Sequence, residues 1–115
     1  MIKNHEIYLK HILDAIKQIK LYRRDIKNED DFFEDRKTQD AVVRNLEIIG
    51  EAASKLPASF RAKHKEIQWR NIIDTRNLLI HGYFGVSYSA VWSIVENHIP
   101  LLEKQIKKVL KELKN

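Results

Sequence analysis

Apolar residues recur at three- and four-residue spacing along almost the whole chain, a periodicity that leaves little room for anything but helices. The first such segment runs from about Asn4 to Ile26, with Ile12, Ala15, Ile16, Ile19 and Tyr22 on one stripe. The acidic stretch Glu29 to Asp35 follows and should break the helix by charge repulsion, while Phe32 and Phe33 fasten the connection to the core. A second helix is expected from Thr38, as N-cap, to about Leu56, with Ala41, Val42, Leu46, Ile49, Ala53 and Leu56 as its apolar stripe. Gly50 lies inside that stripe. Its cost of about 1 kcal/mol relative to Ala suggests that another helix must approach closely there.

Pro57 opens a short helical turn to about Lys63, and a further helix runs from about Trp69 to His81. Gly82 stands where a left-handed C-cap is expected. Ser87 can cap a last helix, with Val86 stapled against Val91, and Pro100 should kink that helix near Glu96 or Asn97. Only three Gly and two Pro occur among 115 residues, too few turns for a sandwich or a barrel. The expectation is an all-α fold: a compact bundle of four or five helices, with residues 1–115 as one domain.

With no Cys, disulfides, thiolate metal sites and cysteine nucleophiles are excluded, in keeping with a reducing cytosol. The chain starts without the apolar run of a signal peptide, and no segment approaches membrane-spanning length. It is therefore read as soluble and cytoplasmic, with no membrane partner. The net charge of +5 leans towards an anionic partner such as RNA. Much of the excess sits at Lys104, Lys107, Lys108, Lys111 and Lys114, which more often form a plain solvated helix face.

The five histidines His5, His11, His64, His81 and His98 show no metal-ligand spacing, and there is no Gly-rich phosphate loop or nucleophile elbow. No metal and no cofactor are expected. What remains is Asp74 to Tyr83, where Arg76, Asn77, His81 and Tyr83 crowd the end of an otherwise apolar helix. Each has a structural reading. His81 can complement the helix dipole, Arg76 can pair with Glu51, Tyr83 can be core, and Asn77 can be a surface amide. From the residues alone, the structural and functional readings stand level.

The stretch Arg76-Asn77-Leu78-Leu79-Ile80-His81-Gly82-Tyr83 resembles the Arg-x4-His-x-Tyr signature of HepT-like proteins, a branch of the HEPN superfamily. Asp40 to Ala53 is similar to that family's second-helix signature, Ile67 to Ile73 to the lead-in of its catalytic helix, and Val91 to Pro100 to its last helix. Together these segments span most of residues 38 to 106, with no departure from the core motif; the first helix is the least distinctive part.

The resemblance implies a HEPN-type bundle forming a two-fold homodimer, with a cleft between the paired catalytic helices. It implies a metal-independent endoribonuclease, the toxin of a type VII toxin–antitoxin module in a prokaryotic cytoplasm. The implied partners are RNA and a nucleotidyltransferase antitoxin of the MntA type. Arg76 and His81 are the implied catalytic residues, with Asn77 supporting and Tyr83 the tyrosine that the antitoxin modifies with AMP.

A dimeric site agrees with helix geometry. Five residues turn about 500°, so Arg76 and His81 stand about 140° apart and do not share a face. A two-fold axis would bring a second Arg and a second His into one groove. Histidine, with an ordinary pKa of about 6.5, suits proton transfer from the 2′-hydroxyl and to the leaving 5′-oxygen. Arginine suits the charge that builds on phosphate oxygens. Two rivals stand beside this reading. One is a non-catalytic accessory or substrate-binding subunit of a nucleotidyltransferase, docking through the acidic segment 29 to 35 and the aromatics around Phe84. The other is a plain structural helical dimer.

Overall fold

The computed structural model describes residues 2–82 and 87–114, with side chains from His5 onward. Four long helical rods carry the fold: α1 (Ile2–Arg24), α3 (Arg36–Lys55), α5 (Trp69–His81) and the continuous rod of α6 (Tyr88–Ser93), a π-helical turn (Ile94–His98) and α7 (Ile99–Lys114). Two short helices, α2 (Glu29–Glu34) and α4 (Ala58–Lys63), fill the connections. The bundle is all-α, as the periodicity predicts.

The core forms where the apolar stripes meet. Leu9, Ile12, Ile16 and Ile19 of α1 are fully buried with Val42, Ile49 and Ala53 of α3 and Ile106 and Val109 of α7. α3 is the central rod, packed on α1 on one side and α5 on the other, while α7 closes on α1. Tyr22, read as part of the first stripe, is exposed instead. The four-three alternation of the stripe carries it from Ile19 to position 23, so Arg23 takes the edge of the core. Its guanidinium lies 4.7 Å from the centre of the Trp92 ring and pairs with Glu96.

The first helix is interrupted as expected, ending at Arg24, and the acidic stretch itself forms a separate short helix, α2. Asn28 caps it by accepting from the Asp31 amide at 2.9 Å, and Glu29, Asp30 and Asp31 occupy the first turn, where the helix dipole favours negative charge. Phe32 is buried, its ring centre 5.4 Å from that of Trp92, but Phe33 is 45% exposed. The cap of α3 is Asp35 rather than Thr38. Its carboxylate accepts from both the amide and the hydroxyl of Thr38, at 2.9 and 2.8 Å. Those two bonds, the backbone one foremost, hold the Asp35 carboxyl below the ordinary carboxylate range.

Downstream, Ser87 caps α6 by accepting from the Ala90 amide at 3.2 Å. Val86, expected to staple against Val91, lies outside the described residues. The distortion expected from Pro100 takes the form of the π-helical turn. With no N–H at residue 100 the regular ladder is interrupted, and the Ile99 amide bonds back five residues to the Ile94 carbonyl. Gly82 is the C-cap of α5, but with φ −82° it is not left-handed as expected.

Candidate active site

α5 meets the bundle mainly through α3, and Arg76 falls on the face of α5 turned towards that helix. A long arginine stem at a helix–helix contact needs room, and Gly50 provides it. A side-chain carbon at residue 50 would overlap Arg76 Cβ, stand 2.8 Å from its Cγ and 3.2 Å from the Ile72 carbonyl oxygen. The close approach expected at Gly50 is therefore that of α5, at Arg76 itself.

From this seat the guanidinium reaches a partner on each of the two helices. Nη2 donates to Glu51 Oε2 in a short ion pair, and Nη1 donates to Asn77 Oδ1 at 2.8 Å. The pairing with Glu51 that the sequence allowed is thus present. Nε is buried and makes no hydrogen bond to another described residue. Arg61 Nε is buried in the same way, so the open donor is not particular to Arg76. Each terminal nitrogen keeps a second hydrogen, so the fork can still donate to the oxygens of an anion.

The guanidinium opens into a groove of about 410 Å³ between α1, α3 and α5, whose lining includes Tyr8, His11, Arg44, Lys55 and Ile80. None of the first four was singled out from the sequence. The signal was present: Arg44, Glu47, Glu51 and Lys55 repeat at three and four residues along α3, as Tyr8 and His11 do on α1. A second, more apolar groove lies across α5, lined by Ile49, Ile72, Ile94, Ile99 and Leu102, and includes neither Arg76 nor His81.

His81 is the last residue of α5 and is exposed. Its ring makes no hydrogen bond to another described residue. The structure thus brings Asn77 to Arg76, while His81 follows Asn77 by four residues, on the same face of α5. Tyr83, the expected modification site, lies outside the described residues. On the outward face of α5, Leu78 is a large apolar side chain 73% exposed. Among the described residues no three His, Asp or Glu side chains are grouped to hold a metal ion, and no helix is long and apolar enough to cross a membrane.

The sequence is similar to several proteins of archaea and bacteria. It is 46% identical, over 98% of its length, to a Methanocaldococcus jannaschii protein whose name pairs a gamma-glutamylcyclotransferase with a candidate RNase. The chain spans 50% of that relative. It is 44% identical to a Thermococcus cleftensis protein named "Probable ribonuclease HepT", over 96% of this chain and 100% of the relative. A Caldanaerobacter subterraneus protein named as a candidate RNase is 44% identical, over 93% of this chain and 95% of its own length. No solved structure matches significantly. The HepT-like family model, described as ribonuclease HepT-like, matches residues 12–109, and the chain belongs to that family.

Proposed function

We propose that the chain is a metal-independent endoribonuclease, residues 1–115 acting as one helical domain in a two-fold dimer. The observation that carries this reading is the pairing on α5 of a held guanidinium at Arg76 with an exposed imidazole at His81, in a chain of a ribonuclease family. The two side chains point about 140° apart, so a second copy is needed to complete the set.

In the reaction one imidazole takes the proton of the ribose 2′-hydroxyl, and the alkoxide forms a bond to the adjacent phosphorus. The bond from phosphorus to the 5′-oxygen breaks, and a second imidazole protonates that oxygen. The products are a 2′,3′-cyclic phosphate and a free 5′-hydroxyl. His81 of each copy supplies one proton transfer, Arg76 takes the charge on the non-bridging oxygens, and Asn77 orients the guanidinium or the phosphate.

In the cell the chain acts as the toxin of a type VII toxin–antitoxin pair. An MntA-type nucleotidyltransferase neutralises it by placing AMP on Tyr83, an added anion that repels the RNA backbone. A Tyr83→Phe variant should escape both modification and neutralisation. A second reading, a non-catalytic subunit of such an enzyme, draws on α2, where the exposed Phe33 stands on a helix with Glu29, Asp30 and Asp31. Phe84, its other expected contact, lies outside the described residues.

The deciding experiment is cleavage of labelled RNA in EDTA by the wild type, Arg76→Ala and His81→Ala. Cleavage by the wild type alone, leaving cyclic-phosphate ends, supports the ribonuclease. A folded, unmodified dimer that cleaves nothing supports the accessory subunit.

A further inference from the structure

Resting on the ribonuclease reading, the geometry points to Glu51 as a positioning residue of the site: it fixes the Arg76 guanidinium in the orientation that receives the scissile phosphate. Residues 50 and 51 act on the two ends of one side chain. Gly50 admits the stem of Arg76 between α3 and α5, and Glu51, on the same turn of α3, takes the head at Nη2. Asn77 holds Nη1 from α5 itself, so the planar group is gripped from two helices and cannot rotate about its last bonds without losing a partner.

A purely cohesive role explains the arrangement poorly. The pair stands at the mouth of the groove, with the Glu51 side chain 47% and the Arg76 side chain 27% exposed. Ion pairs so open to water add little to stability. Lys55, 3.8 Å from Glu51 Oε1, supplies a second cation to the carboxylate and steadies it from one turn further along α3.

Holding the arginine matters in the transition state more than in the ground state. A flexible arginine still finds a phosphate monoanion. A fixed one is already in place as charge grows on the non-bridging oxygens, with no reorganisation left to do. Glu51 also repels a bound phosphate at all stages, so its removal should not weaken ground-state binding.

The test is single-turnover cleavage of one labelled RNA by the full chain, wild type against Glu51→Ala and Glu51→Gln. Melting temperatures and the guanidinium NMR signals of Arg76 are recorded for each. Glu51→Ala should lower the rate of the chemical step by 10-fold or more, with KM unchanged or reduced and the melting temperature little moved. Its Arg76 Nη signals, distinct in the wild type, should merge as the group rotates freely. Glu51→Gln keeps an oxygen acceptor and should retain most of the rate. Wild-type rates in Glu51→Ala, a rise in rate, or an effect on KM alone would each overturn the proposal while leaving the ribonuclease reading intact. A wild type that cleaves nothing overturns both.

Discussion

Gly50 of α3 lies directly beneath Arg76 of α5, so close that any side chain at residue 50 would occupy the space of Arg76 Cβ. The obstacle is not the far end of a flexible side chain but an atom fixed to the α5 backbone. Gly50→Ala therefore cannot be absorbed by a rotamer change; α3 and α5 must separate. Overpacking costs about 1–3 kcal/mol, against about 1 kcal/mol gained from the higher helix propensity of Ala. We expect a net loss, seen as a melting temperature lower by roughly 5 °C. RNA cleavage should fall further than the folded fraction explains.

Gln39 is the one buried polar residue among the described residues, and its amide ties α2 to α3. Nε2 donates to the Phe32 and Phe33 carbonyls, both at 2.8 Å. Gln39→Leu keeps the volume but leaves both carbonyls without that partner. The expected cost is about 2 kcal/mol in chemical denaturation, with α2 losing protection first in hydrogen exchange.

Stability should fall with acid in two windows. Burial, with Lys63 nearby, holds His5 below its usual 6.5, so protonation favours the unfolded chain as pH drops through that value. Asp35 is held below 3.8 by its bonds from Thr38, and Glu103 below 4.5 chiefly by its hydrogen bond from Lys20. Depressed carboxylates contribute stability above their unfolded values and lose it as pH falls below them. Melting temperature against pH should therefore decline first below 6.5 and again below 4.5. His5→Phe should flatten the upper step, and Asp35→Asn should shrink the lower one.

Leu78 offers a test of the proposed dimer. It is 73% exposed on the outward face of α5, so a charge there costs the isolated chain almost nothing. Placed between two paired α5 helices, the same charge would be buried without a partner. Leu78→Glu should sediment as a monomer with unchanged helical content, and its cleavage rate should fall about 100-fold or more, because the second His81 is lost. A dimeric Leu78→Glu would place the two-fold contact elsewhere on the chain.

Much of the bundle was legible in the sequence because helices announce themselves through local periodicity. The span of α5, the stripe of α3, the Ser87 cap and the Pro100 distortion all depend on residues within a few positions of one another. The misreadings have separate causes. Asp35 takes the cap because its two carboxylate oxygens accept from both the amide and the hydroxyl of Thr38, and α2 forms because Asn28 and the dipole favour its acids and Phe32 finds Trp92, 60 residues away. Arg23 takes the edge of the stripe because the four-three alternation reaches position 23, and Trp92 and Glu96, far along the chain, give its guanidinium partners there.

By itself the sequence determined the helices, their apolar faces and the Arg76–His81 box, all set by short-range spacing. It also marked Gly50 as a place of close approach. Only the tertiary structure decided what approaches there, because Arg76 is 26 positions from Gly50, and no local pattern brings a guanidinium stem to a missing side chain. The grip of Glu51 and Asn77 on that guanidinium, and the exposure of His81 away from it, follow from how α5 docks on α3. That docking is fixed by packing rather than by any segment read alone.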